Sequence, residues 1–231
     1  METPVLQATG LIKTFGTTTA LAGIDLTIRR GESVAVMGAS GSGKTTLLHA
    51  LAGITTPDQG AVVFTPASGT PVRVTDLGET GRSQLRRDRF GFVFQEGLLI
   101  PELTAVENVA IALMITGASR ADATARATQW LAALGLAGME DRRVGELSGG
   151  QAQRVAIARA QVTGAEIVFA DEPTGALDSH TSVEVMSALL HATTEQGRTL
   201  VVVTHDPEVA ARCSRTVSVR DGRLITGKVA A

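Results

Sequence analysis

Ser33-Val34-Ala35-Val36-Met37-Gly38-Ala39-Ser40-Gly41-Ser42-Gly43-Lys44-Thr45-Thr46 decides the fold. A short apolar strand runs into a glycine-rich loop, and a helix follows from Lys44 to Ala52, where Gly53 ends it. Gly38 to Thr45 match G-x-x-x-x-G-K-(S/T) in full, with the strand before and the helix after. The glycines let backbone N–H groups converge on phosphates, and the helix N-terminus adds the positive end of its dipole. Lys44 is placed to reach the β- and γ-phosphates, and the Thr45 hydroxyl to ligate Mg²⁺.

A partner for that loop stands far downstream. Ile167-Val168-Phe169-Ala170-Asp171-Glu172 is an apolar strand ending in two carboxylates. Strand alternation would send those side chains to opposite sides, so they should do different jobs. Asp171 suits the Mg²⁺-holding role, which leaves Glu172 to polarise a water for attack on the γ-phosphate. Leu147-Ser148-Gly149-Gly150-Gln151 is a second candidate anion site. Ser148 and Gln151 form a capping box, the helix behind them points free N–H groups outward, and the glycines clear the approach. Phe15, ahead of the phosphate loop, is a candidate for stacking on a base.

The rest of the chain alternates strands and helices around a helical interruption. Val5–Leu11 and Ala22–Arg29 alternate as strands, and Thr55 to Gly60 is a turn before a strand at Ala61–Phe64. Residues Pro66 to Arg82 read as a surface excursion, and Arg89–Gln95 as a strand. Thr104-Ala105-Val106-Glu107 is a capping box opening a helix through Met114. Ser119–Leu134 is a second helix, and Ser148 opens a third to about Val162. Ile167–Ala170 and Thr199–Thr204 are continuous apolar runs, the pattern of parallel strands buried on both faces. Between them Ser179 to Gln196 reads as one helix closed by Gly197. Asp206-Pro207 starts another, and Arg215–Ile225 reads as a hairpin turning at Asp221-Gly222.

Bulk properties narrow the functional classes. A chain of 231 residues is large enough for one sizeable core. Its net charge of −2 offers no electrostatic case for nucleic acid. One cysteine, Cys213, excludes an internal disulfide. Met1 to Gly10 shows no leader pattern, and the longest apolar run, Val109–Ile115, is far short of the roughly 20 residues a bilayer span requires. Work at a membrane would therefore need another chain to hold this one there.

The chain resembles the nucleotide-binding domain of ABC transporters nearly end to end. The phosphate loop, LSGGQ, the strand ending Asp171-Glu172 and the run Pro173-Thr174-Gly175-Ala176-Leu177-Asp178 stand in that family's order and spacing. The resemblance implies a single domain over 1–231: a P-loop NTPase core with a mainly parallel α/β sheet, an antiparallel β subdomain and an inserted helical lobe at about 97–162. It makes Gln95 the glutamine that senses Mg²⁺ and the attacking water, and His205 the switch histidine that contacts the γ-phosphate. It makes Phe15 the adenine-stacking aromatic. Gly38 through Thr46 would hold ATP in one chain, while Ser148, Gly149, Gly150, Gln151 and Asp178 would reach the partner's ATP across a head-to-tail dimer. Implied partners are ATP with Mg²⁺, a second copy, and integral membrane permease subunits that hold the chain at the cytoplasmic face of the membrane.

Phe92-Val93-Phe94-Gln95 and Leu103 to Val109 resemble the macrolide-exporter and lipoprotein-release group, which favours export or extracytoplasmic mechanical work over import. Val144, Gln161 and Ala165 depart from common family residues, none at a catalytic position. Soluble relatives in DNA repair or translation carry insertions for which the chain has no room, and a small-molecule kinase would not need LSGGQ, His205 and Asp178 in this order. Gly97 to Leu103, apolar and proline-containing, is the expected permease-facing surface.

Overall fold

A computed structural model describes residues 4–225; Met1 to Thr3, part of the segment read for a leader, and residues 226–231 lie outside them. In chain order the elements are β1 (Pro4–Phe15), β2 (Thr18–Arg29), β3 (Ser33–Met37), α1 (Lys44–Leu51), β4 (Gln59–Phe64), β5 (Val72–Arg73), α2 (Glu79–Arg89) and β6 (Phe90–Phe94). Then come α3 (Ala105–Ile115), α4 (Arg120–Ala133), α5 (Gly149–Gln161), β7 (Ile167–Asp171), α6 (Ser179–Ala192), β8 (Thr199–Thr204), α7 (Pro207–Ala211), β9 (Arg215–Arg220) and β10 (Arg223–Ile225).

Two sheets result. The larger runs β10-β9-β3-β8-β7-β6, parallel throughout except for the β9–β10 hairpin. The smaller is antiparallel, β2-β1-β4-β5. Successive residues of the central strands feed two different cores. Val168, Ala170, Leu200 and Val202 pack with α3 to α6, whereas Ile167, Phe169, Val201 and Val203 pack with α1 and the antiparallel sheet. Burial on both faces is why these strands carry no polar alternation. Phe64, Phe90 and Phe169 stitch the second core edge to face, at 5.1 and 5.3 Å between ring centres. The helical lobe packs α3 against α4 and α5 through Ala123, Ala127, Leu131 and Ile157.

Three expectations need correction. β1 and β2 run several residues beyond the alternating stretches, because Gly10 and Gly23, at φ 59° and 86°, allow register irregularities that the sequence pattern shows only as interruptions. The stretch from Pro66 to Arg82 is not all excursion. It holds β5 and the first turn of α2, a helix with no buried residue, whose Glu79 carboxylate bonds Arg82 and Arg86, each at 2.8 Å. Leu85, packed against the second core, is the one apolar residue of α2, so no apolar stripe marks the helix in the sequence. Finally, α6 stops at Ala192. Buried Thr193 donates its hydroxyl to the Leu189 carbonyl at 2.6 Å and leaves helical geometry, and a 3₁₀ turn covers Thr194–Gln196.

Candidate nucleotide site

The phosphate loop spans the gap between β3, in mid-sheet, and α1. Gly43 caps α1 at φ 104°, and a Cβ there would lie 2.3 Å from the Ala20 carbonyl oxygen, so β2 presses the loop into a form only glycine adopts. Lys44 is buried, its ammonium donating to the Gly38 and Ala39 carbonyls at 2.8 and 3.0 Å. A cavity of about 580 Å³ opens beside the loop, within the size range of small-molecule sites. Ser40, Gly41, Gly43, Lys44, Thr45 and Thr46 line it together with Gln95, Glu172 and His205. Residues from four separate stretches thus share one wall. Gly38, Ala39 and Ser42 face a neighbouring cavity that shares Ser40, Gly41 and His205.

Asp171 and Glu172 part company for a different reason from strand alternation. β7 ends at Asp171, and Glu172 takes a left-handed φ of 47° while its N–H still donates to Val203 at 2.9 Å. A backbone turn, rather than the pleat, separates the two carboxylates. Asp171 accepts from the Thr45 hydroxyl at 3.3 Å, and burial, then the nearby Glu172, raises its pKa against the opposing Thr45 bond and the His49 and Lys44 charges. Glu172 holds both carboxylate oxygens 3.0 Å from Nδ1 of His205. An ionised carboxylate only accepts, so this contact requires the ring to donate from Nδ1.

Thr45 and Asp171 present hard oxygen donors within reach of one cation. Among the described residues no cluster of three or more His, Cys, Asp or Glu could hold a metal alone.

Phe15 sits at the tip of the β1–β2 hairpin, 53% exposed, with Lys13 Nζ 5.4 Å from its ring centre. Its pairing partner Thr18 lines the cavity; Phe15 itself does not. Ser148 caps α5, accepting from the Gln151 N–H at 3.3 Å while its own N–H donates to Gln151 Oε1 at 2.9 Å. None of Ser148, Gly149, Gly150 or Gln151 lines the cavity. Gly150 needs its bareness for packing: a Cβ there would meet Thr181 Cγ2 at 2.4 Å. Asp178 caps α6, accepting from the Thr181 N–H and hydroxyl at 3.0 and 2.6 Å. Sequence reasoning missed both jobs; the first depends on α5 lying against α6, and the second is a local cap within α6. It also passed over Gln153 and Arg159, whose side chains bond the backbone of residues 94–98. Their polarity on an otherwise buried helix face was the available signal.

The family model for ABC transporters matches residues 21–175, taking in the phosphate loop, LSGGQ and Asp171-Glu172 but stopping short of Asp178 and His205. The chain is 45% identical over 231 residues to the pyoverdine export ATP-binding/permease protein PvdT of Pseudomonas syringae pv. tomato, covering 98% of this chain and 34% of that protein. It is 45% identical over 226 residues to the macrolide export ATP-binding/permease protein MacB of Marinobacter nauticus, at 96% and 34% coverage. The chain thus spans about a third of the length of these curated relatives. Among solved structures it superposes on the ATP-binding cassette MJ0796, a dimer bound to ADP and Pi, with TM-score 0.87, 36% identity and coverage of 98% and 99%. With family model, relatives and fold in agreement, the chain belongs to the ABC transporter family, as an ATPase cassette.

Proposed function

We propose that this ABC-type ATPase is the ATP-binding subunit of a transporter. Two copies close head to tail on two ATP molecules, and the cycle of closing and opening drives a separate membrane permease toward export or extracytoplasmic mechanical work. On this reading residues 1–231 form one ATP-binding unit with its helical lobe at about 97–162. The permease holds it at the cytoplasmic face of the membrane. Among the described residues no helix is long and apolar enough to cross a membrane. The relatives that join such a cassette to a permease in one protein support the partner and the direction. Leu98 and Ile100, both exposed, support the 97–103 segment as the permease-facing surface.

The observation that carries the reading is the shared cavity wall, which lacks Ser148 to Gln151. Lys44 and the loop N–H groups neutralise and orient the phosphates, and Phe15 stacks on the adenine. Thr45, Asp171 and Gln95 would hold Mg²⁺, which when bound neutralises charge on the phosphate oxygens. Glu172 accepts a proton from water as it attacks the γ-phosphorus and the bond to the β-phosphate oxygen breaks, giving ADP and phosphate. His205 holds that carboxylate in place, and its other ring nitrogen, where it too carries a proton, donates to the γ-phosphate. The second copy's Ser148–Gln151 and Asp178 cover the ligand.

Glu172→Gln tests this directly. The variant is expected to bind ATP, to turn it over at least about 10²-fold more slowly, and to elute as a dimer when ATP is present. Wild-type turnover, or a monomer at saturating ATP, would contradict the proposal.

A further inference from the structure

Gln95 is the second residue of a tight turn, closed by the Gly97 N–H donating to the Phe94 carbonyl at 2.9 Å. Two side chains of α5, the helix that begins at the signature, grip that turn from behind. Gln153, buried, donates Nε2 to the same Phe94 carbonyl at 2.8 Å. Arg159 spreads its guanidinium over the two successive carbonyls where the turn closes, at 2.7 Å to Gly97 and 2.8 Å to Leu98. Gly97 and Leu98 are both left-handed, at φ 68° and 46°, a conformation that leaves their carbonyls pointing at the helix and that Leu98 adopts only under restraint. A Cβ on Gly97 would stand 3.3 Å from Gln153 Oε1, so the turn lies directly on the helix. Burial lowers the Arg159 pKa, yet the group stays in the ionised form whose planar fork suits two adjacent acceptors. Asn108 of α3 secures the far end of the loop, accepting from the Ile100 N–H at 2.7 Å and donating to its carbonyl at 3.0 Å.

We propose that Gln153 and Arg159 are positioning residues that lock the Gln95 turn to the signature helix. What seats at the Ser148–Gln151 end of α5 then sets where Gln95 points in the nucleotide cavity. The helix can transmit this as a rod, since Val155, Ala156, Ile157 and Ala158 are wholly buried in its middle. The inference rests on the reading of Gln95 as a site residue.

A double-mutant cycle on ATP turnover of the purified chain tests it. Arg159→Gln is expected to lower kcat roughly tenfold, part of the ~10²-fold that an ~1 Å misplacement can cost. KM for ATP should stay within about twofold. Added to Gln95→Ala, the same change should produce no further loss, because the side chain through which it acts is already gone. Arg159→Lys keeps the charge and reaches one carbonyl, so its kcat should fall between; it carries the same cycle if Arg159→Gln does not fold. Losses that multiply in the double variant overturn the inference and leave Gln95 its role, as does a lowered melting temperature with unchanged kcat. Unchanged kcat in Gln95→Ala removes the Gln95 reading and this one with it.

Discussion

Gly150 has no side chain because Thr181 occupies the space. The two glycines of the signature read as a cleared approach for an anion, yet the second of them is committed to the α5–α6 contact. Gly150→Ala is expected to destabilise the chain by about 1–3 kcal/mol, the usual cost of overpacking a tight contact. Thr181→Ser, which deletes Cγ2 and keeps the hydroxyl bonded to Asp178, should recover most of it. Thermal unfolding of the two single variants and the double decides the matter; a double variant no better than Gly150→Ala would refute the packing explanation. Legibility at this scale is uneven. Lys44 and Thr45 announce themselves through spacing, whereas Gly150 and Gln153 have meaning only beside partners some 30 to 60 residues away.

Elements were easiest to read where they bury a face. β7, β8 and α3 carry continuous apolar runs or capping boxes, and all three form as expected. Helix α2 escaped because Leu85 alone ties it to the core, its other ties being ion pairs along its own length and Arg86 bonding the Gly53 carbonyl, which leave no apolar stripe. Helix α6 shows the opposite case, a cap visible in sequence whose duty was assigned elsewhere. The Thr181 hydroxyl and N–H hold the Asp178 carboxyl below the usual range. The ionised cap therefore contributes stability that is fully present above the ordinary aspartate value, about 3.9, and lost as pH falls through the lowered one. The melting-temperature gap between wild type and Asp178→Ala should be widest at neutral pH and narrow toward pH ~3. A gap that does not change with pH would remove the charge from the account.

For the whole molecule the central question is what completes the cavity. Lys44, Glu172 and His205 meet on one wall, and Ser148 caps a helix elsewhere on the same chain. If the second copy supplies the missing surface, chains carrying Lys44→Ala mixed with chains carrying Ser148→Arg can form one intact composite site per mixed dimer. Turnover by the mixture should exceed that of either variant alone; activity no higher than the single variants would exclude assembly in trans. Motif order along the chain was enough to determine the α/β phosphate-binding core, the two carboxylates and the family, because spacing around a strand–loop–helix unit is local chemistry. Only the tertiary structure decided that Glu172 turns away from Asp171 onto His205, that Gly150 serves the α5–α6 contact, and that Arg159 grips the Gln95 turn. Each of these depends on a distance between segments remote in the chain, and such distances exist only once both cores have closed.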